Sequence, residues 1–251
     1  MLGLKGKRAL ITGGSRGIGA ATSRMLARAG AHVVIGYRSR VADADALVLE
    51  LRGMGVSAAA FAHQLGESAG CDALVADAVR TLGGLDILVH NAGIWPAADE
   101  GVALMPDARW RTTMSENTDA MFFISRAAVR HLGAGGRVVH VSSTAGQRGE
   151  SYHADYAASK GAMISFVKSL AVELASRDIT VNAVAPGWVD TEMAAGSYAN
   201  GGLARIAKTI PLGRVATADD IAGPIVFLCS PLARHITGEI VNVNGGSVLC
   251  G

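Results

Sequence analysis

Short, continuously apolar runs alternate with longer, alanine-rich stretches along the whole chain. Because the apolar runs lack an in–out alternation, they are typical of strands buried on both faces of a parallel sheet. The predicted strands are residues 8–12, 31–37, 57–61, 86–91, 137–142, 180–185 and 239–244. The predicted helices are residues 18–29, 41–53, 69–82, 112–132, 155–176 and 217–229. This alternation predicts an α/β fold with a doubly wound, seven-stranded parallel sheet and helices on both faces.

The length of 251 residues suits one large domain, and no linker, repeat or low-complexity segment divides it. The prediction is therefore a single domain over residues 1–251. One long stretch, at about residues 187–211, is irregular and carries three further glycines after Gly187. A stretch of this kind in a compact domain is usually a lid or a disordered segment.

Composition and charge exclude several classes of partner. The net charge is only +2, with no basic run, so nucleic acid is not expected as a partner. No apolar stretch reaches membrane-spanning length, and the first residues lack the apolar core of a signal peptide. Cys71, Cys229 and Cys250 are far apart and have no paired histidines nearby, which argues against a disulfide framework or a metal site. The expected location is the reducing cytoplasm.

A glycine-rich segment, TGGSRGIG at residues 12–19, directly follows the first predicted strand and opens a helix. Gly13, Gly17 and Gly19 permit a tight turn and a close approach of the backbone to a pyrophosphate, and the helix N-terminus offers free N–H groups. The spacing differs from the common G-x-G-x-x-G, and a purely structural turn is the alternative. The position between the first strand and the first helix favours a dinucleotide site.

The second predicted strand ends at Tyr37 and Arg38, where a site for unphosphorylated NAD would place an acidic residue. Arg16 lies in the glycine segment. Two guanidinium groups at this corner would bind a 2′-phosphate well, although both could also be ordinary surface arginines. The sequence therefore predicts NADPH rather than NADH.

Tyr156 and Lys160 are four residues apart in a predicted helix, so their side chains share one face. An ammonium close to a phenol favours the phenolate, which predicts that Lys160 lowers the pKa of Tyr156. Ser142 and Ser143 end the fifth predicted strand, where such sheets bind ligands, although a serine there is often only a cap or turn residue. Asn117, early in its predicted helix, is either a surface residue or a group that binds water near Lys160.

Together these residues resemble the short-chain dehydrogenase/reductase family over essentially the whole chain. The motifs that carry the resemblance are TGGSRGIG at 12–19, NAG at 91–93, Asn117, Ser143, YAASK at 156–160 and NAVAPG at 182–187. The resemblance implies a Rossmann fold and a catalytic tetrad of Asn117, Ser143, Tyr156 and Lys160. In it Tyr156 exchanges the proton, Ser143 holds the substrate oxygen, Lys160 binds the nicotinamide ribose and Asn117 positions a relay water.

The resemblance also implies that NADPH/NADP+ is the cofactor and that residues 187–211 cover the substrate. The implied cofactor-binding residues are Gly13, Ser15, Arg16, Gly17, Ile18, Gly19, Tyr37, Arg38, Asn91, Ala92, Gly93, Tyr156, Lys160, Pro186, Gly187, Val189 and Thr191. The helices that hold Asn117 and Tyr156 are the usual dimer interface of the family, which implies a homodimer or homotetramer.

Within the family the chain is most similar to the 3-oxoacyl-[acyl-carrier-protein] reductases, through residues 173–182, 210–214 and 236–246. The substrate implied is an acyl-thioester or small-molecule carbonyl. Arg177 matches a basic residue of that group, but residues 134–136 are AGG where it often has another for its acidic carrier protein. Gln64 stands where many members of the family have an Asp that binds the adenine, which implies a different adenine contact in this chain. Trp95 and Trp110 lie in a slightly longer stretch that reshapes the substrate entrance.

Three other functions remain open. The same residues serve an alcohol, sugar or steroid dehydrogenase working in the oxidative direction, which the stretch from Glu192 to Lys208 would decide. A cofactor-binding regulator without turnover would be indicated by loss of Tyr156 or Lys160, and both are present. An enoyl reductase is disfavoured because that branch of the family spaces its Tyr and Lys more widely.

Overall fold

Seven parallel strands form one continuous sheet in the computed structural model, which describes residues 2–249. Residues 1, 250 and 251, among them Cys250 and both ends of the predicted domain, lie outside the described residues. The strands are β1 Arg8–Thr12, β2 His32–Tyr37, β3 Ala58–Ala62, β4 Leu85–His90, β5 Leu132–Val141, β6 Thr180–Pro186 and β7 Ile240–Val243. The predicted seven-stranded parallel sheet is confirmed.

The strand order β3-β2-β1-β4-β5-β6-β7 determines where a ligand binds. From β1 the chain first moves outward through β2 and β3 and then returns to pair β4 on the other side of β1. Open α/β sheets bind ligands beyond the carboxyl ends of their strands at this reversal point. The glycine segment follows β1 and the Asn91 turn follows β4, so both lie at the reversal.

Helices cover both faces of the sheet. The helices are α1 Gly17–Arg28, α2 Val41–Gly53, α3 Ser68–Leu82, α4 Asp107–Met114, α5 Ala120–Val129, α6 Ala145–Arg148, α7 Ala154–Leu174, α8 Ala195–Tyr198, α9 Gly202–Ala207 and α10 Ala218–Cys229. Ile11 and Ile35 face a core formed with α1, α2 and α10, whereas Leu10 and Val34 face a core formed with α3, α5 and α7. Each central strand is therefore buried on both faces, which explains its continuously apolar sequence.

Two predicted elements differ from the structure by more than two residues at one or both ends. The helix predicted over 112–132 begins earlier, at Asp107, and consists of α4, a π-helical turn at Ser115–Asp119 and α5. Strand β5 begins at Leu132 rather than at 137 because Leu132 pairs with Leu85 across an irregularity in the register. The apolar pattern missed this part because residues 133–136 are glycines and one alanine.

The stretch 187–211 is mostly short helices rather than an extended loop. A 3₁₀ turn at Glu192–Ala194 leads into α8, and α9 follows after a turn at Gly201. Over residues 2–249, no helix combines the length and the apolar character needed to cross a membrane.

Candidate active site

The glycine segment makes a tight turn over the end of β1. Gly13 and Gly17 have φ values of +60° and +52°, in the left-handed region that favours glycine. A Cβ on Gly19 would lie 2.2 Å from the carbonyl oxygen of Gly13, so only glycine fits there. Helix α1 begins at Gly17, and no side chain caps its first N–H groups. These N–H groups form a site suited to an anion such as a pyrophosphate.

The turn after β4 is hydrogen-bonded to this loop. The backbone N–H groups of Asn91 and Ala92 both donate to Thr12 Oγ1, at 3.1 and 3.0 Å. The Asn91 amide donates to the carbonyl oxygen of Gly13 at 3.0 Å. Because Thr12 Oγ1 already accepts two bonds, its own hydrogen points to His90 Nδ1, 3.0 Å away. The glycine turn and the turn after β4 are thus held together by partly buried hydrogen bonds.

Two adjoining clefts form one groove along the carboxyl edge of the sheet, and six residues line both. The predicted site residues that line the first cleft are Gly13, Ser15, Arg16, Gly17, Ile18, Tyr37, Arg38, Asn91, Ala92, Gly93 and Thr191. Those that line the second are Ser143, Tyr156, Lys160, Pro186, Gly187 and Val189, together with Ile18, Asn91, Gly93 and Thr191. Gly19 and Asn117 lie behind this surface. No group of three metal-ligating side chains occurs within residues 2–249.

Five charged side chains meet at the mouth of the first cleft. Glu192 forms ion pairs with both Arg16 and Arg40, and its carboxylate lies 2.7 Å from Arg40 Nη2. Arg38 lies 3.1 Å from Glu116. Arg40, Glu116 and Glu192 were not among the predicted site residues. Arg40 could have been found, because it follows Arg38 by two residues beyond the same strand end.

Tyr156 and Ser143 meet at the floor of the second cleft. The Tyr156 side chain is buried, and burial raises its pKa to about 12. A hydrogen bond from Ser143 opposes this rise. The Ser143 hydroxyl accepts from the N–H of Ala145 at 3.1 Å, so its proton is available to the phenol oxygen. This phenol therefore carries its proton at neutral pH.

Lys160 lies beside Tyr156 without a hydrogen bond to it. Its ammonium is 5.7 Å from the centre of the Tyr156 ring and donates to the Val141 carbonyl oxygen at 2.8 Å. Burial lowers the pKa of Lys160 to about 8. The sequence predicted that Lys160 lowers the pKa of Tyr156, and in this structure the shift of Tyr156 is in the opposite direction. The reason is that burial of the phenol is the largest influence on that pKa.

Asn117 is fully buried in the π-helical turn between α4 and α5. Its Oδ1 accepts from the Ile94 N–H at 2.7 Å, and its Nδ2 donates to the Ile94 carbonyl and to Ser159 Oγ. A Cβ on Gly93 would lie 3.0 Å from Asn117 Oδ1 and 3.5 Å from Lys160 Nζ. The amide therefore ties Ile94, directly after the Asn91–Gly93 turn, to Ser159 on α7, and it is not the surface residue of the alternative interpretation. π-helical turns are frequent at functional sites.

A buried ion pair fixes the start of α7, one residue before Tyr156. Asp155 is fully buried and lies 3.0 Å from Arg109 Nε, while Thr113 donates to it at 2.8 Å. Arg109 also donates to the carbonyl oxygens of Ala98 and Tyr152. Burial opposes ionisation of Asp155, but these hydrogen bonds, with one from the Tyr156 N–H, hold its pKa below its usual value. No sequence pattern pointed to Arg109, because its partners are distant along the chain.

Two tryptophans line the second cleft, but Trp110, predicted to act with Trp95, does not. Trp95 packs edge-to-face against Tyr156, with ring centres 4.6 Å apart. Trp188, which the sequence analysis missed, lies 6.4 Å from Trp95. Trp110 is 43% exposed on α4. From the stretch 192–208 only Met193 and Ala194 line this cleft, and Arg205 and Lys208 are exposed.

Comparison with known proteins gives a consistent set of relatives. Residues 13–247 match the family model described as Enoyl-(Acyl carrier protein) reductase. An oxidoreductase of Methylorubrum extorquens is 40% identical over 97% of this chain and 98% of its own. A 3-oxoacyl-[acyl-carrier-protein] reductase FabG of Vibrio cholerae is 38% identical over 98% of both chains. The crystal structure of a short chain dehydrogenase from Burkholderia cenocepacia in complex with NADP is 38% identical, has a TM-score of 0.91, and matches 97% of this chain and 98% of that chain.

Proposed function

The chain belongs to the short-chain dehydrogenase/reductase family, whose members are oxidoreductases acting on carbonyl or alcohol groups, and we propose that it reduces a carbonyl to an alcohol with NADPH. The observation that carries this proposal is the arrangement of Ser143, Tyr156 and Lys160 at the end of a groove that begins at the glycine segment. Such a groove would present a nicotinamide and a substrate carbonyl to the same phenol.

The reductive direction is supported by the protonation of Tyr156. Burial raises its pKa to about 12, so the phenol holds a proton that it can give to a substrate oxygen at neutral pH. An alcohol oxidation would need the phenolate as a base. The oxidative alternative, an alcohol, sugar or steroid dehydrogenase, uses the same residues in reverse and would be favoured at high pH, where more of Tyr156 is deprotonated.

In the proposed reaction Ser143, Tyr156, Lys160 and Asn117 have different roles. NADPH supplies a hydride to the carbonyl carbon when it is bound in the groove. Tyr156 donates its proton to the carbonyl oxygen, which Ser143 holds by a hydrogen bond. Lys160, whose ammonium donates to the Val141 carbonyl oxygen beside Tyr156, would bind the nicotinamide ribose. Asn117 keeps the Ile94 backbone and Ser159 in place beside Lys160.

The first cleft fits NADPH. The glycine turn, where a Cβ on Gly19 would collide with Gly13, leaves backbone N–H groups free for a pyrophosphate. Arg16, Arg38 and Arg40 line this cleft near the end of β2, where a 2′-phosphate would lie. A phosphate there would replace their carboxylate partners, Glu192 and Glu116, and guanidinium groups bind phosphate in a bidentate manner. We therefore propose NADPH/NADP+ as the cofactor, in agreement with the NADP held by the relative from Burkholderia cenocepacia.

The second candidate function is a 3-oxoacyl-[acyl-carrier-protein] reductase, favoured by the relative from Vibrio cholerae. Binding of an acidic carrier protein calls for exposed basic side chains near the substrate groove. Arg177, the residue that matches that group, donates to the carbonyl oxygens of Val129 and Leu132 and so also holds the start of β5. The neighbouring residues 134–136 contain no basic side chain.

A homodimer or homotetramer and a cytoplasmic location remain predictions. Phe122 on α5 is 43% exposed and Val172 on α7 is 80% exposed, and these helices are the ones that the family resemblance assigns to a dimer interface. Apolar side chains at such positions favour association with a second copy.

The experiment that tests the proposed function measures NADPH consumption by the purified protein with a panel of carbonyl compounds, and repeats it with NADH. The panel holds an acetoacetyl thioester, a small diketone, a quinone, a keto sugar and a cyclic ketone. We expect turnover with NADPH above that with NADH, and its loss in Tyr156→Phe while NADPH still binds. Undiminished turnover in Tyr156→Phe would contradict the role of Tyr156 as proton donor.

A further inference from the structure

The second cleft contains an aromatic corner, which consists of the rings of Trp95, Trp188 and Tyr156. The Trp95 and Tyr156 rings meet at 81°, and the Trp95 and Trp188 rings at 68° with centres 6.4 Å apart. Trp95 is thus steeply inclined to both other rings of the corner, one of which is the phenol of Tyr156. A planar ring placed there can pack against one indole face and against the edge of the other.

Contacts outside the cleft hold both indoles in place. Trp95 stacks on the buried imidazole of His153, with ring centres 3.9 Å apart and planes 12° apart. His153 Nε2 lies 2.9 Å from the Pro96 carbonyl oxygen, which anchors this stack to the chain beside Trp95. Trp188 packs on Tyr198, whose hydroxyl donates to the Val189 carbonyl oxygen at 2.7 Å. The corner is therefore formed before a substrate arrives, which lowers the entropy cost of binding a rigid ring.

The rest of the cleft offers few free polar groups to a substrate. Ile94, Val189 and Met193 are apolar members of its lining. The two charged residues at its rim, Arg148 and Glu150, lie 2.7 Å apart and neutralise each other. Four of the remaining polar side chains have partners inside the protein: Ser142 donates to the Lys160 carbonyl, Lys160 to the Val141 carbonyl, Asn91 to the glycine loop, and Ser143 bonds to Tyr156. The hydroxyls of Thr144 and Thr191 also belong to this lining.

We propose that the substrate is an apolar cyclic ketone whose ring packs in the aromatic corner with its carbonyl oxygen at Tyr156 and Ser143. This inference rests on the proposed carbonyl reductase function and names its substrate class. A keto sugar would lose hydrogen bonds from its hydroxyl groups to water without replacement in this lining. A linear acyl thioester would bury apolar surface there, but it would gain nothing from the ring geometry.

The test compares kcat/KM for α-tetralone, an apolar bicyclic ketone, with kcat/KM for an acetoacetyl thioester. We expect the wild-type protein to prefer α-tetralone. In Trp188→Leu the ratio of the two values should fall about tenfold, the size expected when a ring contact and its buried area are lost. Trp188→Phe keeps a ring and should retain most of that ratio. Trp110→Leu, an exposed tryptophan outside the cleft, is the matched control and should leave the ratio unchanged.

A preference for the thioester, or equal losses for both substrates in Trp188→Leu with the fold intact by circular dichroism, would overturn the proposed substrate class.

Binding of α-tetralone to the NADP+-loaded protein, measured by calorimetry, separates this inference from the proposed function. Binding that weakens in Trp188→Leu supports the aromatic corner as the ring site even if no ketone is reduced, and in that case the reductase proposal alone fails. No binding of α-tetralone by the wild-type protein overturns the substrate class.

Discussion

Replacing Arg109 with Met tests whether one buried ion pair holds the start of the helix that carries Tyr156. Arg109 is the charge partner of Asp155, whose side chain has no exposed area, and the Arg109 side chain is only 14% exposed. The substitution keeps most of the side-chain length but leaves a buried carboxylate with hydrogen bonds only from Thr113 and the Tyr156 backbone. It also removes the bonds to the carbonyl oxygens of Ala98 and Tyr152.

Removal of one partner from a buried ion pair costs about 3 to 5 kcal/mol of unfolding free energy, because the remaining charge stays buried without compensation. For a chain of this size each kcal/mol lowers Tm by about 2 to 4 °C, so we expect a fall of about 6 to 20 °C. A matched control exists on α4, the helix that carries Arg109. Arg111 and Asp107 form a pair at 3.6 Å with both side chains about four-fifths exposed or more, and Arg111→Met should cost less than about 0.5 kcal/mol.

Thermal unfolding by calorimetry measures both variants, and a double substitution tests the cause. Arg109→Met combined with Asp155→Asn removes the charge as well as its partner, so this double variant should be more stable than Arg109→Met alone. The sign of the pH dependence follows from the same argument. The depressed pKa of Asp155 stabilises the wild-type protein above its unfolded value near 3.8, and this stabilisation is lost as pH falls through the folded value. The difference between wild type and Arg109→Met should therefore shrink in acid.

A Tm for Arg109→Met no lower than that of Arg111→Met would refute this reasoning, as would a double variant no more stable than the single one. The first result would mean that solvent reaches Asp155 after the substitution. The second would mean that lost packing and backbone bonds, rather than an unpaired charge, cause the destabilisation. NADPH turnover measured well below the lower Tm then separates stability from catalysis, since a displaced Tyr156 lowers kcat even in folded protein.

Two further predictions concern a close contact and a buried histidine. A Cβ on Gly146 would lie 2.5 Å from the carbonyl carbon of Lys160, so Gly146→Ala should lower Tm by several degrees and reduce turnover. Gly53→Ala is the control: a Cβ there meets no atom within 4 Å, so Tm and turnover should stay unchanged or Tm should rise slightly. Burial, with a smaller effect of the Lys160 charge, lowers the pKa of His140 from 6.5 to about 3. The unfolded chain therefore binds a proton at His140 more tightly than the folded protein does, and the protein loses stability as the pH falls from 6.5 towards 3. Urea unfolding at about pH 7 and about pH 5 should show a smaller loss of stability in His140→Phe than in wild type, and equal losses would contradict a buried, neutral His140.

The sheet and the phosphate end of the groove could be predicted from the sequence because their signals are local. A strand buried on both faces needs a continuous apolar run, and β1 was predicted with its observed bounds for that reason. The glycine turn at 12–19 is likewise a local requirement of backbone geometry. The first half of β5 was missed because Leu132 joins the sheet by pairing with Leu85 rather than by its own apolar pattern.

The chemistry of the site depends on contacts between distant segments. Tyr156 and Lys160 were found by their spacing, but the direction of the Tyr156 pKa shift follows from burial, which no spacing encodes. Glu192 reaches Arg16 across 176 positions, and no local pattern pairs them. Trp188 was likewise missed, because only its packing against Trp95, a residue far away in the sequence, places it in the second cleft.

By itself, therefore, the sequence determined the α/β class, the seven-stranded parallel sheet and many of the residues that line the carboxyl edge at its reversal point. These follow from the local periodicity of apolar residues and from glycines required by backbone geometry. Only the tertiary structure decided which charges are paired, in which direction the pKa of Tyr156 shifts and which aromatic rings line the second cleft. Those properties depend on solvent exclusion and on distances between segments far apart in the chain, and both exist only once the helices have packed on the sheet.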